Sequence, residues 1–153
     1  LSALGDSDAS VRRVAIDEVV AVRDLRAADR LVELLDDPEL DVRRAAAFAC
    51  GQLSIAAASR PLIERIAAED TPPMLRRDCL RALGRVGGDQ AFAVLQLALA
   101  SPVAEDKEAA LRGLGELRDP RAPHLLAELI VVGHGKDVGA LARYHLQRQG
   151  ALR

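Results

Sequence analysis

Apolar residues recur along the chain with the spacing of one face of an α-helix. Val42, Ala46, Ala49, Cys50 and Leu53 stand at positions i, i+4, i+7, i+8 and i+11. This spacing places all five side chains on the same side of a helix. No segment alternates apolar and polar residues over the length of a β-strand. The pattern therefore predicts an all-α protein.

The helical pattern returns at a nearly constant interval. Five similar segments have second residues that lie 31, 33, 31 and 32 residues apart, namely Val11, Val42, Leu75, Asp106 and Val138. Further apolar runs, such as residues 31–35 and 62–66, follow the first four segments and predict a second helix in each unit. A near-constant period with imperfect copies indicates one structural unit used repeatedly. The sequence therefore predicts an α-solenoid of about five stacked helical hairpins.

The units divide residues 1–153 into one repeat domain. Their approximate bounds are residues 8–36, 37–69, 70–100, 101–133 and, for a partial fifth unit, 134–153. Leu4 aligns with Leu35 at the end of a second helix, so the sequence starts inside a unit. The fifth unit is too short for a full second helix. We expect the chain to be a fragment of a longer array.

Polar residues and glycines mark the two ends of the predicted first helices. Side-chain oxygens at a helix start accept hydrogen bonds from free N–H groups, which predicts N-caps at Ser10, Asp41 and Asp137. Near the other end, Gly51, Gly84 and Gly115 occupy the same place, while units one and five carry Val20 and Gln147 there. Glycine costs about 1 kcal/mol relative to alanine inside a helix. Its recurrence predicts a neighbouring helix that passes too close for a Cβ.

These residues resemble the HEAT-like repeat of the phycobilisome-lyase type. The resemblance rests on Asp37-Pro38-x-x-Asp41-Val42-Arg43-Arg44-Ala45-Ala46-Ala47-x-Ala49-x-Gly51-x-Leu53, and the frame returns in residues 83–91 and 114–122. It covers nearly the whole chain and implies an α-α superhelix. Asp106 stands where the pattern has Val, which puts the first turn of unit four in doubt. The repeat occurs in scaffolds, enzyme subunits and adaptors, so it is specific for fold and not for function.

Composition narrows the classes of function. Aromatic residues make up only 2% of the chain, and the formal net charge is -2. A nucleic-acid partner is therefore not favoured, because phosphate binding favours a basic protein. Cys50 and Cys79 do not form a C-x-x-C pair, which predicts small buried side chains in a reducing, cytoplasmic compartment. No apolar stretch is long enough to predict a membrane span.

Motifs for catalysis are incomplete. The segment Gly133-His134-Gly135-Lys136 is close to a phosphate-binding loop, but Ile130 replaces the first glycine and Asp137 replaces the Mg²⁺-binding hydroxyl. None of the three histidines is followed by Glu: His124, His134 and His145. The His-Glu dyads of deoxyhypusine hydroxylase, which is built from similar repeats, are therefore not carried over. We predict a protein that is not an enzyme and has no cofactor and no metal.

A binding scaffold is the function that these observations favour. Stacked hairpins curve, and we expect the second helices to line the concave face and the first helices the outer face. The polar positions of that concave face are Arg30, Glu33, Arg60, Glu64, Gln96, His124 and Glu128. They mix both signs of charge, which indicates another protein or a peptide as the partner. The first alternative is a subunit resembling the phycobilin lyases, for which no catalytic residue can be assigned.

Arginine pairs recur at the start of the first three units, and their first members are Arg12, Arg43 and Arg76. We interpret them as a structural ladder in which each arginine binds an aspartate of an adjacent loop. The second alternative is a basic stripe for phosphates, as in HEAT-like DNA glycosylases. The scarcity of aromatic side chains for stacking on bases makes that function less favoured.

Overall fold

The structure is a computed structural model that describes residues 2–132 and 136–150, apart from the side chains of residues 132, 136 and 137. Its α-helices are α1 (Ala9–Val22), α2 (Ala28–Glu33), α3 (Leu40–Gln52), α4 (Ser59–Ala67), α5 (Pro73–Val86), α6 (Ala91–Ala98), α7 (Ala104–Glu116), α8 (Arg121–Val132) and α9 (Lys136–Arg148). Short 3-10 turns cover Ser2–Gly5, Leu25–Ala27, Leu34–Asp36 and Ala56–Ala58. No strand occurs among the described residues. The predicted all-α solenoid is confirmed.

The first helices begin slightly earlier than the sequence predicted. Asp8 is the N-cap of α1, and its Oδ1 accepts a hydrogen bond of 2.7 Å from the N–H of Ser10. Helix α3 begins at Leu40 after Glu39, whose side chain makes no capping bond. Ser10 and Asp41 therefore lie inside the first turn, and the predicted caps were wrong. Asp41 in the first turn of α3 is still favourable, because its negative charge lies near the positive end of the helix dipole. The third predicted cap, the Asp137 side chain, lies outside the described residues.

The core is built by the predicted apolar faces of the first helices. The apolar face predicted for the second unit is less than 10% exposed at Val42, Ala46, Ala49 and Leu53. The corresponding side chains of α5 and α7 are equally buried, namely Leu80, Leu83, Leu111 and Leu114. Cys50 and Cys79 are free thiols and are also buried. Aliphatic residues and alanine supply nearly all of this interior, so adjacent layers pack through small side chains.

Asp106 does not disturb the fourth unit. Helix α7 begins at Ala104, so the first turn that the sequence left in doubt is helical. The Asp106 side chain is buried, with one oxygen 3.4 Å from the hydroxyl of Ser101. The other oxygen lies 4.0 Å from Nε of Arg77 in α5. A polar side chain thus occupies a position that is apolar in units two and three.

The recurring glycines lie where first helices approach each other. A Cβ added to Gly84 in α5 would fall on the backbone of Gly113 in α7. At Gly51 in α3 it would lie 3.0 Å from the Cα of Ala82, and at Gly115 it would fall on the ring of His145 in α9. The predicted close helix contacts are therefore confirmed. At Gly84 the backbones of α5 and α7 approach each other more closely than a residue with a Cβ would allow.

The two rows of helices differ in how closely they stack. Helices α3, α5 and α7 pack against one another along their lengths, whereas α4 and α6 touch only briefly. Each second helix packs mainly on the first helix of the next unit, as α4 does on α5. In a stack of two-helix layers, the row with the smaller spacing forms the inner side of the curve. The closer stacking of the first helices favours them as the inner side of the curve, whereas the sequence predicted the second helices there.

Candidate functional site

A groove of about 540 Å³ crosses the first helices on this inner side. We call it the inner groove. It extends over four layers, because its walls come from α3, α5, α7 and α9. Its polar and aromatic lining residues are Phe48, Asp78, Arg81, Arg85, Arg112, Glu116, Tyr144, His145 and Arg148. Such a combination of aromatic and charged side chains in one concavity is typical of a binding surface.

Four of these residues form one line across the groove. Each lies six residues after the second residue of the repeated segment in its unit, which is Val42, Leu75, Asp106 or Val138. The four residues, Phe48, Arg81, Arg112 and Tyr144, therefore occupy equivalent positions on stacked helices. We call them the central column. The two aromatic residues are 52% and 53% exposed, and the two arginine side chains are 48% and 49% exposed. The column therefore presents an aromatic side chain, two guanidinium groups and a second aromatic side chain to solvent.

A second line of charges lies beside the central column, one turn further along the helices. Glu116 in α7 accepts a hydrogen bond of 3.1 Å from Nη1 of Arg148 in α9. Its other oxygen lies 4.0 Å from Nε of Arg85 in α5. One carboxylate thus links three layers. The line also leaves the groove with more positive than negative side chains.

His145 lies at the floor of the groove. Its side chain is buried, and neither ring nitrogen has a hydrogen-bond partner among the described residues. Burial lowers the pKa of His145, and nearby Arg148 and Arg112 act in the same direction, while Glu116 opposes them. The imidazole is therefore neutral at pH 7. The ring of Tyr144 stands at 75° to it, with 5.2 Å between the ring centroids.

The recurring arginines at the helix starts are bound to loops. Nε and Nη2 of Arg12 each donate a hydrogen bond of 2.8 Å to the carboxylate of Asp37, and both side chains are buried. Arg43 instead donates to the carbonyl of Asp37 at 2.6 Å, and Arg76 donates to that of Ala68 at 3.2 Å. Among the first members of the pairs, the predicted bond to an aspartate of an adjacent loop is therefore present only at Arg12. The other two first members bind backbone carbonyls of the loops before their own helices. Two second members approach an aspartate of the next first helix instead, Arg44 at 2.7 Å from Asp78 and Arg77 at 4.0 Å from Asp106.

The residues predicted to bind a partner lie on the other row of helices. All seven are exposed: Arg30, Glu33, Arg60, Glu64, Gln96, His124 and Glu128. Arg30 and Glu33 form an ion pair of 2.7 Å, and Arg60 and Glu64 form one of 2.8 Å. None of the seven lines the inner groove. The structure therefore separates them from the aromatic and arginine side chains of the central column.

Reactive chemistry is sparse in the part of the chain that the structure describes. Within residues 2–132 and 136–150 no group of three His, Cys, Asp or Glu side chains is arranged to hold a metal ion. Burial raises the pKa of Cys50 and of Cys79 to about 12, so neither thiol is ionised at neutral pH. Gly133, His134 and Gly135 of the incomplete phosphate loop lie outside the described residues. Among the described helices, none has the length and apolar character needed to cross a membrane.

The central column was not predicted from the sequence, although the sequence contains a signal for it. Reading the five units in register at the sixth position after the aligned residue gives Asp17, Phe48, Arg81, Arg112 and Tyr144. Two of the three aromatic residues of the chain therefore flank two arginines at one structural position. Helical periodicity does not reveal this pattern, because it identifies only the buried side of each helix.

Comparison with known proteins agrees with this architecture. The sequence profile of HEAT repeats matches residues 1–72 and 59–147. Among solved structures, the chain is similar to the complex of CpcE and CpcF of phycocyanin lyase from Nostoc sp. PCC7120, with a TM-score of 0.69 and 24% sequence identity. The match covers 95% of this chain and 61% of that chain. At this identity the likeness concerns the fold alone. The curated proteins contain no match.

Proposed function

This chain belongs to the family of HEAT repeats, and from that premise we propose that it is a non-catalytic scaffold that binds a segment of another protein in the inner groove. Two buried free thiols agree with a reducing, cytoplasmic setting for such a scaffold. The proposed binding surface thus lies on the first helices, whereas the sequence predicted it on the second helices.

The exposure of Phe48 and Tyr144 carries this proposal. The chain has only three aromatic residues, and these two stand about half exposed at the two ends of the central column. The third, Phe92, is buried beneath the guanidinium of Arg121, 4.4 Å from its ring centroid. Large aromatic side chains supply much of the binding energy of protein interfaces. Two of them on one concave surface favour a role in binding.

The length of the central column suits a short extended segment. Packed helices lie about 8–10 Å apart, so four stacked helices span roughly 24–30 Å. An extended chain advances about 3.1–3.3 Å per residue. The groove therefore matches a segment of roughly eight to ten residues. Contacts with four layers at once would add up to a useful affinity even though each contact is weak.

The test compares two matched pairs of apolar side chains. We expect the double variant Phe48→Ala/Tyr144→Ala to bind a partner purified after capture from cell extract at least about tenfold more weakly, because anchor residues are lost. The control is Leu97→Ala/Val131→Ala, which truncates two side chains on the second helices that are 75% and 85% exposed. Its affinity should match that of the unaltered protein. Binding is measured by titration calorimetry, and melting curves verify that both variants are folded.

A third variant tests the second helices directly. Glu33→Lys/Glu64→Lys reverses two exposed charges on α2 and α4. If this variant loses the partner while Phe48→Ala/Tyr144→Ala retains it, the partner binds the second helices. That result would contradict the inner groove as the binding surface.

A subunit of a bilin lyase-like enzyme is the second candidate. Its support is the likeness in fold to a phycocyanin lyase complex, together with arginine and aromatic side chains that could hold an acidic, planar pigment. No residue is assigned to catalysis. Titration with a linear tetrapyrrole separates the two candidates, because binding in the groove would shift the absorption spectrum of the pigment.

A further inference from the structure

We propose that the inner groove selects an acidic protein segment, in which two carboxylates lie between two apolar side chains. This inference rests on the proposed function and specifies the chemistry of the partner. It is carried by the order of residues in the central column and by the excess of arginine over carboxylate in the groove.

The charge of the groove is opposite to that of the chain. Among the described residues that line it, four are arginines and two are acidic, Asp78 and Glu116, whereas the whole chain has a formal net charge of -2. A positively charged groove on a negatively charged protein is suited to attract a negatively charged partner. Guanidinium groups bind carboxylates through paired hydrogen bonds, which fix both position and orientation.

The arginines of the central column retain capacity for a ligand. Arg81 lies 3.6 Å from Asp78, whose carboxylate already accepts a hydrogen bond of 2.7 Å from Nε of Arg44. Arg112 donates from Nε and Nη2 to a single oxygen of Glu108, and both side chains of that pair are about half exposed. Exposed pairs of this kind are weak and exchange readily with solvent. A carboxylate of a partner can therefore replace or join them.

The spacing of the column specifies a sequence pattern. Neighbouring positions lie about 8–10 Å apart, the usual distance between packed helices. A polyproline II segment has three residues per turn and a rise of about 3.1 Å, so every third side chain points the same way about 9 Å further on. A segment with apolar residues at positions 1 and 10 and acidic residues at positions 4 and 7 would meet the column in order. Its carboxylates would face Arg81 and Arg112.

The probe is a fluorescent ten-residue peptide with Leu at positions 1 and 10, Glu at 4 and 7, and Ala or Pro elsewhere. A second peptide carries Gln in place of both Glu residues. By fluorescence anisotropy we expect the Glu peptide to bind at least about tenfold more tightly than the Gln peptide. The affinity of the Glu peptide should fall as the salt concentration rises, because salt screens the charges.

Three single variants assign the preference to the column. Arg81→Glu and Arg112→Glu should each lower affinity for the Glu peptide by about tenfold or more, because a like charge then faces the ligand. Arg143→Glu makes the same change of charge on α9 at an exposed residue that does not line the groove. It should bind the Glu peptide nearly as well as the unaltered protein. Circular dichroism melts exclude loss of folding as the cause.

Failure of this inference is distinguishable from failure of the proposed function. Equal binding of the two peptides, with both sensitive to Phe48→Ala/Tyr144→Ala, would refute the acidic preference and leave the groove as a protein-binding site. Tighter binding of a single-stranded oligonucleotide or of a linear tetrapyrrole, with the same dependence on Arg81 and Arg112, would refute an acidic protein as the ligand. If neither peptide binds and no captured partner depends on Phe48 and Tyr144, the proposed function itself is wrong.

Discussion

Gly84 shows how one missing methyl group sets the distance between two layers. A Cβ at this position would fall on the backbone of Gly113, so Gly84→Ala should lower the free energy of unfolding by about 1–3 kcal/mol through overpacking. Gly139 in α9 is the matched control, since no described atom lies within 4 Å of a Cβ there. Gly139→Ala should raise the free energy of unfolding by about 1 kcal/mol, because alanine is the better helix former. Urea unfolding measures both, and a stabilised Gly84→Ala would contradict the close contact.

His145 makes stability depend on pH. Burial lowers the pKa of His145 in the folded state below the usual value of 6.5. Between the folded-state pKa and the unfolded-state pKa, the folded state therefore binds fewer protons than the unfolded state. The free energy of unfolding should therefore fall as the pH drops below about 6.5. His145→Leu should remove this dependence and stabilise the fold, because it replaces two buried nitrogens that have no hydrogen-bond partner in the described part of the chain.

The control for this prediction is His124→Leu. His124 is exposed on α8, so its replacement should leave the dependence of stability on pH unchanged. Thermal melts between pH 5 and pH 8, which span the usual histidine pKa, measure all three proteins. Identical profiles for the unaltered protein and His145→Leu would show that another group causes the dependence.

At the level of helices and loops, the buried pair of Arg12 and Asp37 fixes α1 to the loop before α3. Asp37 also accepts a hydrogen bond of 2.9 Å from the N–H of Glu39 at the start of that helix. Burial opposes the ionisation of Asp37, but the hydrogen bonds from Arg12 and from the Glu39 N–H lower its pKa. The side chain thus joins two units and orders one helix start.

Asp37→Asn should lower the melting temperature clearly, because Arg12 would remain buried beside a neutral partner. Asp36→Asn is the matched control next to it in sequence. Asp36 is largely exposed and pairs with Arg65 at 3.0 Å, so its loss should have little effect. Since the folded-state pKa of Asp37 is lowered, its contribution is present above the usual pKa of 3.8 and disappears as the pH falls below that value. Equal melting temperatures for the two variants would contradict this role.

The helices and their buried faces could be predicted because repetition presents the same pattern several times. The positions of Val42, Leu80 and Leu114 follow from helical periodicity alone. Caps were less predictable, since Ser10 and Asp41 are as suitable chemically as Asp8 and only backbone geometry distinguishes them. Helix starts depend on small local differences that propensity does not resolve.

For the molecule as a whole, the sequence did not specify which row of helices lies inside the curve. Curvature arises from a small rotation per repeat, which depends on how closely each pair of backbones approaches. The glycines at positions 51, 84 and 115 contained that information, because all three lie in first helices and not in second helices. The groove could not be predicted for the same reason, because an exposed Phe48 indicates a binding groove only when its row of helices is known to face inward.

Two thiols buried in neighbouring layers make the rate of thiol labelling a measure of how often those layers separate. Cys50 belongs to α3 and Cys79 to α5, and both are fully buried and held protonated by their raised pKa. An alkylating reagent reacts with the thiolate, so labelling must wait until the two layers separate. The speed of labelling therefore reports how often this interface opens while the rest of the array stays folded. Any ligand that crosses the same interface would slow that reaction without touching either sulfur atom.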